Sequence, residues 1–341
     1  MTDMSAKTYR AIQVSRPGYL EMVDLPLVPP GPGQVRIRVE ACGICHTDAM
    51  TVEGGVTDIV YPRVPGHEVV GCIDALGEGV TGWALDRRVG VGFLAGNCGS
   101  CAECRRGHFT ACRDQRWTGV HHDGGYAEMM LAQANALVSI PDALAAVEAA
   151  PLLCAGITVF KALKKSGARP GDIVAIHGVG GLGHLAVQFA RKMGFRTVAI
   201  ARGREKEGPA KALGAHHYIN SAGEDAAAAL LVLGGARVIV STVTAPKAIS
   251  PLVAGLAPHG RLMVVGVGAE PVEISPFALV QNDVSVSGSL TGTTIESEDS
   301  LAFSVLQDIR ALVETVPLAE ARQAYDRMMR NQAQFRIVLT M

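Results

Sequence analysis

Cysteine and histidine are the residues of this chain whose types and spacing point to chemistry. Cys98, Cys101, Cys104 and Cys112 form the pattern C-x2-C-x2-C-x7-C. Four thiolates so close in sequence can surround one tetrahedral Zn2+, and Gly96, Gly99 and Gly107 let the backbone wrap it. Such a site has no open position, so its role would be structural. An iron–sulfur cluster uses the same ligands, and the spacing by itself leaves the metal open. A second set is spread along the chain. Cys42-Gly43-Ile44-Cys45-His46-Thr47-Asp48, Pro65-Gly66-His67-Glu68 and Leu153-Cys154-Ala155-Gly156 each offer one ligand. Singly, each Cys or His reads as a packed core residue. Together they supply three protein ligands and leave one position open, the arrangement of a catalytic zinc, which polarises a carbonyl or lowers the pKa of a bound hydroxyl.

A third constellation binds phosphate. Ile173-Val174-Ala175-Ile176-His177 reads as a buried strand running into Gly178-Val179-Gly180-Gly181-Leu182-Gly183 and then a helix from His184 to Met193. This is G-x-G-x-x-G between strand and helix, where backbone N–H groups at the helix N-terminus approach a pyrophosphate. The following strand, Thr197 to Ile200, ends in Ala201-Arg202-Gly203-Arg204-Glu205-Lys206. The acid that would hold a ribose 2′-hydroxyl is replaced by Ala201, and Arg202, Arg204 and Lys206 are cations suited to a 2′-phosphate. The competing reading, a solvated charged loop, leaves the missing carboxylate unexplained.

The elements that must position these residues fall into two textures. Val35 to Glu40 alternates apolar and polar residues, as a half-buried strand does, and follows the turn Pro29-Pro30-Gly31-Pro32-Gly33. Val69 to Ile73 and Arg88 to Val91 read as further short strands. From about Cys154, helical and strand patterns alternate: helices over Ile157–Lys165 and Leu182–Met193, a helical alanine run at Ala226–Ala229, and later strands at Val238–Ser241, Leu262–Val265 and Val284–Ser287. That alternation predicts a doubly wound parallel sheet. The tail returns to mixed helix and strand, ending in Phe335 to Leu339.

At 341 residues, the length suggests about two domains. Apolar residues make up 48%, enough for real cores, and 31 Lys+Arg against 32 Asp+Glu give a net charge of −1. That balance provides no general attraction to nucleic acid or to an anionic membrane. No apolar leader or run of about 18 apolar residues is present, so a cytoplasmic protein is expected. Its eight cysteines are then available for metal or packing rather than for stable disulfides.

With the motifs in this order, the sequence resembles the zinc-dependent alcohol dehydrogenases of the medium-chain dehydrogenase/reductase superfamily, in their shorter bacterial branch, over nearly the whole chain. The resemblance implies an α/β protein. A GroES-like β-rich catalytic domain would span 1–153 and 294–341, with a zinc lobe at about 96–113, and a Rossmann cofactor domain would span 154–293. It implies Cys45, His67 and Cys154 as catalytic zinc ligands, and structural zinc at Cys98, Cys101, Cys104 and Cys112, making two zinc ions per chain. Asp48 would orient His67, Glu68 would lie near the metal, and Thr47 would hold the substrate oxygen and take its proton. His46, Thr158, Val267, Leu290 and Arg336 would join the Gly-rich turn and the Ala201–Lys206 loop in contacting the cofactor, NADP(H) in preference to NAD(H). Phe93 and Trp117 would line the substrate pocket.

The implied substrates are small alcohols, aldehydes or ketones, and the implied assembly is a homodimer or homotetramer paired through the strand Val284 to Leu290. Two departures stand out. Met50 occupies the place of a frequent relay histidine and carries no proton, and Phe93 stands where this branch often has tryptophan. Cys42 and Cys72 match no ligand role and are assigned to packing. Two other readings compete: a zinc-free quinone reductase of the same superfamily, and a zinc-containing, nucleotide-binding redox sensor or scaffold without turnover.

Overall fold

In the computed structural model, which describes residues 7–341, the chain divides into two compact units. One holds the residues through Cys154 with Gly292–Val305 and Arg310–Met341; the other holds Ala155–Thr291 and Leu306–Ile309. The division differs from the expected boundaries at three places. Leu306–Ile309 belongs to the second unit, and Cys154 and the pair Gly292 and Thr293 belong to the first. Cys154 caps the 3-10 turn Ala150–Leu153, whose Leu153 packs so tightly on Gly90 that a Cβ there would lie 2.5 Å from Leu153 Cδ1.

The strands, in chain order, are β1 (Thr8–Arg16), β2 (Tyr19–Pro26), β3 (Gln34–Ile44), β4 (Val69–Leu76), β5 (Arg88–Val91), β6 (Met129–Gln133) and β7 (Leu137–Ser139). There follow β8 (Ile173–His177), β9 (Arg196–Ala201), β10 (His217–Asn220), β11 (Ala236–Ser241), β12 (Leu256–Val264) and β13 (Ser285–Gly288), and finally β14 (Val313–Pro317) and β15 (Arg336–Thr340).

The first unit is built on a seven-stranded sheet in the order β14-β15-β3-β4-β5-β7, with β6 also paired to β3, and on the β1–β2 hairpin. In β3, Val35, Ile37 and Val39 are buried while Arg36 and Arg38 are not, as the alternation requires. Its last four residues, Ala41 to Ile44, excluding none, are all buried. The strand therefore delivers Cys45 into the core rather than to the surface. The β1–β2 hairpin has no counterpart among the strands expected from the sequence. Its turn is Pro17-Gly18, with Gly18 at φ 82°, and the buried residues Ile12 and Val14 carry the period-2 signal.

The second unit is a six-stranded, fully parallel sheet in the order β10-β9-β8-β11-β12-β13. This is the doubly wound order, reversing direction between β8 and β11, where such sheets bind ligands beyond the strand ends. All five residues of β8 are buried, which explains their unbroken apolar run up to His177. Among the described residues, no single helix is long and apolar enough to cross a membrane.

Candidate active site

The first unit gathers the scattered ligands. Cys45 follows the end of β3, His67 precedes β4, and Cys154 follows the Ala150–Leu153 turn. The ligand atoms of Cys45, His67, Glu68 and Cys154 all lie within 4.8 Å of one another, and all four residues are buried. Asp48, itself buried, organises them. Its Oδ1 accepts from His67 Nδ1 at 2.9 Å, and its Oδ2 accepts from the Cys45 N–H at 2.9 Å and the Tyr126 hydroxyl at 2.8 Å. With the imidazole hydrogen held on Nδ1, Nε2 turns a lone pair into the cluster, where it has no hydrogen-bond partner. A buried imidazole nitrogen left over among two thiols is a donor set that fits Zn2+.

The charges agree with that reading. Cys45 Sγ lies 3.9 Å from Cys154 Sγ. The hydrogen bond from Cys154, helped by His67, holds the Cys45 thiol well below its usual range, while the same bond and burial push Cys154 up. Burial works against a charged His67 ring, but Asp48 and Cys45 outweigh it and raise its pKa.

Glu68 is fully buried, and burial pushes its pKa up to about 7 although Arg336 opposes this. Arg336, on β15, donates to Glu68 Oε1, whereas Oε2 has no partner. A Cβ on Gly43 would lie 1.9 Å from Glu68 Oε2, so only glycine fits beside this carboxylate. The resemblance implied a cofactor contact for Arg336; in this structure its guanidinium is buried against Glu68. Thr47 is half-buried and His46 exposed in the 3-10 turn His46–Asp48, and Met50 is half-buried just beyond it. Phe93 meets the His67 ring edge-on at 5.3 Å between centroids, and Trp117 stacks on Phe93 at 5.2 Å. Cys42 is core, as expected, while Cys72 is half-buried and its thiol donates to Glu40 Oε1 at 3.3 Å.

The four-cysteine lobe also closes. The sulfurs of Cys98, Cys101, Cys104 and Cys112 lie within 4.8 Å of one another, and Gly96, Gly99 and Gly107 all adopt positive φ (113°, 68° and 82°). Backbone N–H groups serve the sulfurs: Cys101 N–H donates to Cys98 Sγ and Cys98 N–H to Cys112 Sγ, each at 3.4 Å. Amides of Arg113 and Cys104 bring Cys101 down to about 6. Among the described residues these are the two groups able to hold a metal, and neither includes Cys42 or Cys72.

In the second unit, Gly178 has φ 92° and a Cβ on Gly183 would lie 1.7 Å from Gly178 O, so both glycines are demanded by the strand–turn–helix itself. A Cβ on Gly180 would meet nothing within 4 Å. Room at that glycine, ahead of the helix Gly183–Lys192, fits a pyrophosphate approaching the backbone. Gly181 and Leu182 are half-buried in the same turn. Ala201 closes β9 and is buried, and Arg202 beyond it is exposed. Arg204 is drawn to Glu207 at 3.2 Å, and Lys206 caps the helix Glu207–Ala212. Gly203 between them is clamped by β10: its N–H donates to Asn220 Oδ1 at 2.8 Å and its carbonyl accepts from the Tyr218 hydroxyl at 2.7 Å. Thr158 is buried in the helix Ala155–Lys165, whereas Val267 and Leu290 are exposed.

Sequence reading missed Tyr126, which lies 78 residues from the Asp48 it serves, and the Asn220–Tyr218 clamp. No local spacing signals either one; the sole hint at Tyr126 is the pair of small residues Gly124-Gly125 before it. Because Asp48 fixes the His67 tautomer, Asp48→Asn is expected to weaken zinc retention about 10- to 100-fold. Competition with a chelator, read as zinc left on the folded protein, checks this; unchanged retention would show that the carboxylate does not orient the ligand.

Comparison with known proteins supports the same reading. Residues 31–142 match the alcohol dehydrogenase GroES-like domain, and residues 181–306 match the zinc-binding dehydrogenase family. The chain is 40% identical to alcohol dehydrogenase patD of Penicillium expansum over 346 residues, covering 100% of both chains. It is 34% identical to aldehyde reductase AdhA of Synechocystis over 336 residues, covering 98% of both. A cinnamyl alcohol dehydrogenase structure from Sorghum bicolor superposes with a TM-score of 0.88 at 32% identity, again covering 98% of each chain. The zinc-free reductase and the turnover-free scaffold therefore give way: the chain belongs to the zinc-dependent alcohol dehydrogenases of the medium-chain dehydrogenase/reductase superfamily, oxidoreductases that interconvert alcohols and carbonyl compounds with a nicotinamide cofactor.

Proposed function

We propose that this enzyme is an NADP(H)-preferring dehydrogenase of small alcohols, acting in reverse as an aldehyde or ketone reductase, with two zinc ions per chain. The observation that carries the reading is the buried Cys45–His67–Cys154 set with His67 Nε2 unpartnered and Nδ1 held by Asp48. A zinc ion held there would supply Lewis acidity toward a substrate oxygen, and the dinucleotide would accept or deliver the hydride. Thr47, two residues after Cys45 and half-buried, orients the alcohol hydroxyl and takes its proton. Met50 has no proton to exchange, so no imidazole three residues after Thr47 relays that proton outward. Asp48 holds the His67 hydrogen on Nδ1 and keeps Nε2 aimed inward. Arg336 holds Glu68 back on one oxygen, leaving the other beside the ligand set.

The two metal sites have different work. A closed tetrathiolate contributes folding free energy, whereas the open site contributes chemistry. Cys154→Ser is expected to abolish turnover with the fold kept, and Cys101→Ser to lower Tm or soluble yield with any folded remainder still active. Metal analysis, melting curves and alcohol oxidation on both variants test this. Near-native turnover in Cys154→Ser with its zinc content halved would remove the ligand assignment.

For the cofactor, Ala201 removes a carboxylate that would repel a 2′-phosphate, and Arg202 is an exposed guanidinium with no ion pair or hydrogen bond among the described residues. A charge-assisted hydrogen bond of about 1.5 kcal/mol corresponds to roughly tenfold. kcat/KM is expected to be about tenfold higher with NADPH than with NADH, to converge as salt rises, and to lose the difference in Arg202→Ala. Equal efficiency in the wild type would make Arg202 a surface charge only.

We also propose a homodimer or homotetramer in the cytoplasm, where reducing conditions keep all eight cysteines as thiols. The support for assembly is β13, which ends its sheet with Val286 36% exposed, in the same unit as Phe277 and Val280 at 71% and 80%. An apolar open edge is a liability that pairing removes. Light scattering at micromolar concentration is expected to give a dimer or larger; a stable monomer would exclude the paired edge. Cell fractionation checks the compartment.

A further inference from the structure

The aromatic stack beside the zinc ligands does not stop at Trp117. The His121 ring lies 5.1 Å from the Trp117 ring, tilted by 48°, so Trp117 has both Phe93 and His121 as ring neighbours. Both nitrogens of His121 are engaged. Nδ1 accepts the backbone N–H of Trp117 at 3.0 Å. A neutral imidazole that accepts at Nδ1 carries its hydrogen on Nε2, and Nε2 contacts Asp58 Oδ2 at 3.1 Å. Asp58 lies 63 residues away, in the segment between the short helix Ala49–Val52 and β4. The His121 side chain is 9% exposed and that of Asp58 61%. Isolated ion pairs this exposed add little stability. What this pair does supply is orientation: one side chain holds the backbone N–H of Trp117, lies in tilted contact with its indole, and is itself tethered to a second loop.

We propose that His121 and Asp58 are positioning residues for substrate selectivity, holding the Trp117 indole as a fixed outer wall beside Phe93 and so favouring alcohols and aldehydes with a planar aryl group next to the reacting carbon. The inference rests on the reading of the Cys45–His67–Cys154 cluster as the alcohol site. From the His67 ring outward, Phe93, Trp117 and His121 form an unbroken series of rings 5.1–5.3 Å apart. A planar substrate gains from an offset-stacked or edge-to-face neighbour only if that neighbour is already in place, because ordering a loose indole on binding would cancel the gain. A short aliphatic alcohol has no such group and does not draw on the wall.

The test uses the zinc-loaded enzyme with Trp83→Phe as background, so that Trp117 is the one remaining tryptophan. His121→Ala, His121→Asn and Asp58→Ala are compared for KM and kcat with benzyl alcohol and ethanol, and for acrylamide quenching of Trp117 fluorescence. In His121→Ala the ratio of kcat/KM for benzyl alcohol to that for ethanol is expected to fall about tenfold, through KM rather than kcat, while quenching rises. Asp58→Ala should do the same to about threefold, and His121→Asn, whose amide oxygen can still accept the Trp117 N–H, should recover part of the loss. Unchanged quenching in His121→Ala, or an equal change for both alcohols, would overturn the proposal. Failure of the alcohol-site reading looks different: Cys154→Ser would then keep turnover, and Trp117 quenching would still report whether His121 holds the indole.

Discussion

The buried carboxylate of Asp48 is the contact on which the catalytic unit depends. A charge this deep is tolerated only when its oxygens are hydrogen-bonded. Here the partners are the Cys45 N–H, His67 Nδ1 and the Tyr126 hydroxyl. Those three bonds tie the end of β3, the entry to β4 and the buried Tyr126 ahead of β6 to one point. They also select the His67 tautomer that leaves Nε2 free to face the thiols. The carboxylate therefore serves the fold and the chemistry through the same atoms.

Around it the charges are arranged in opposed pairs. Arg336 faces Glu68, and the Cys45 thiol is held low while its neighbour Cys154 is held high. A metal cation in this pocket would meet a carboxylate oxygen, an imidazole lone pair and two sulfurs with little reorganisation of the surrounding protein. The tetrathiolate lobe differs in kind. Its sulfurs are served by backbone N–H groups of its own loop, so its order is local. That contrast is the physical basis for assigning chemistry to one set and stability to the other.

The cofactor unit shows the same division between what a turn demands and what a ligand uses. Gly178 and Gly183 are required by backbone geometry alone, through a positive φ and a close approach to a carbonyl. Gly180 is different, because open space surrounds the position of its absent Cβ. On the next strand, Asn220 and Tyr218 hold both polar groups of the Gly203 peptide, which fixes the course of the backbone just after Arg202.

Local sequence determined the four-cysteine pattern, the Gly-rich turn and the parallel strands that carry it, whereas Cys45, His67 and Cys154 are brought together from three distant segments. The local patterns rest on periodicity and on residues within one turn or one loop of each other. The strand alternation of Val35 to Val39 and the apolar run of Ile173 to Ile176 could be read directly, because burial on one face or both follows from side-chain order. In the β1–β2 hairpin the same signal is confined to Ile12 and Val14. Tertiary structure decided the rest: Tyr126 against Asp48 across 78 residues, Arg336 against Glu68 across 268, and His121 against Asp58 across 63. Cys154 joined the first unit for the same reason, through the packing of Leu153 on Gly90. Hydrogen bonds and ion pairs between such distant groups have no period or spacing in the chain. They exist only once the folded chain brings the two side chains within about 3 Å bonding reach of each other, and for these pairs that involves turns and loops as well as strands.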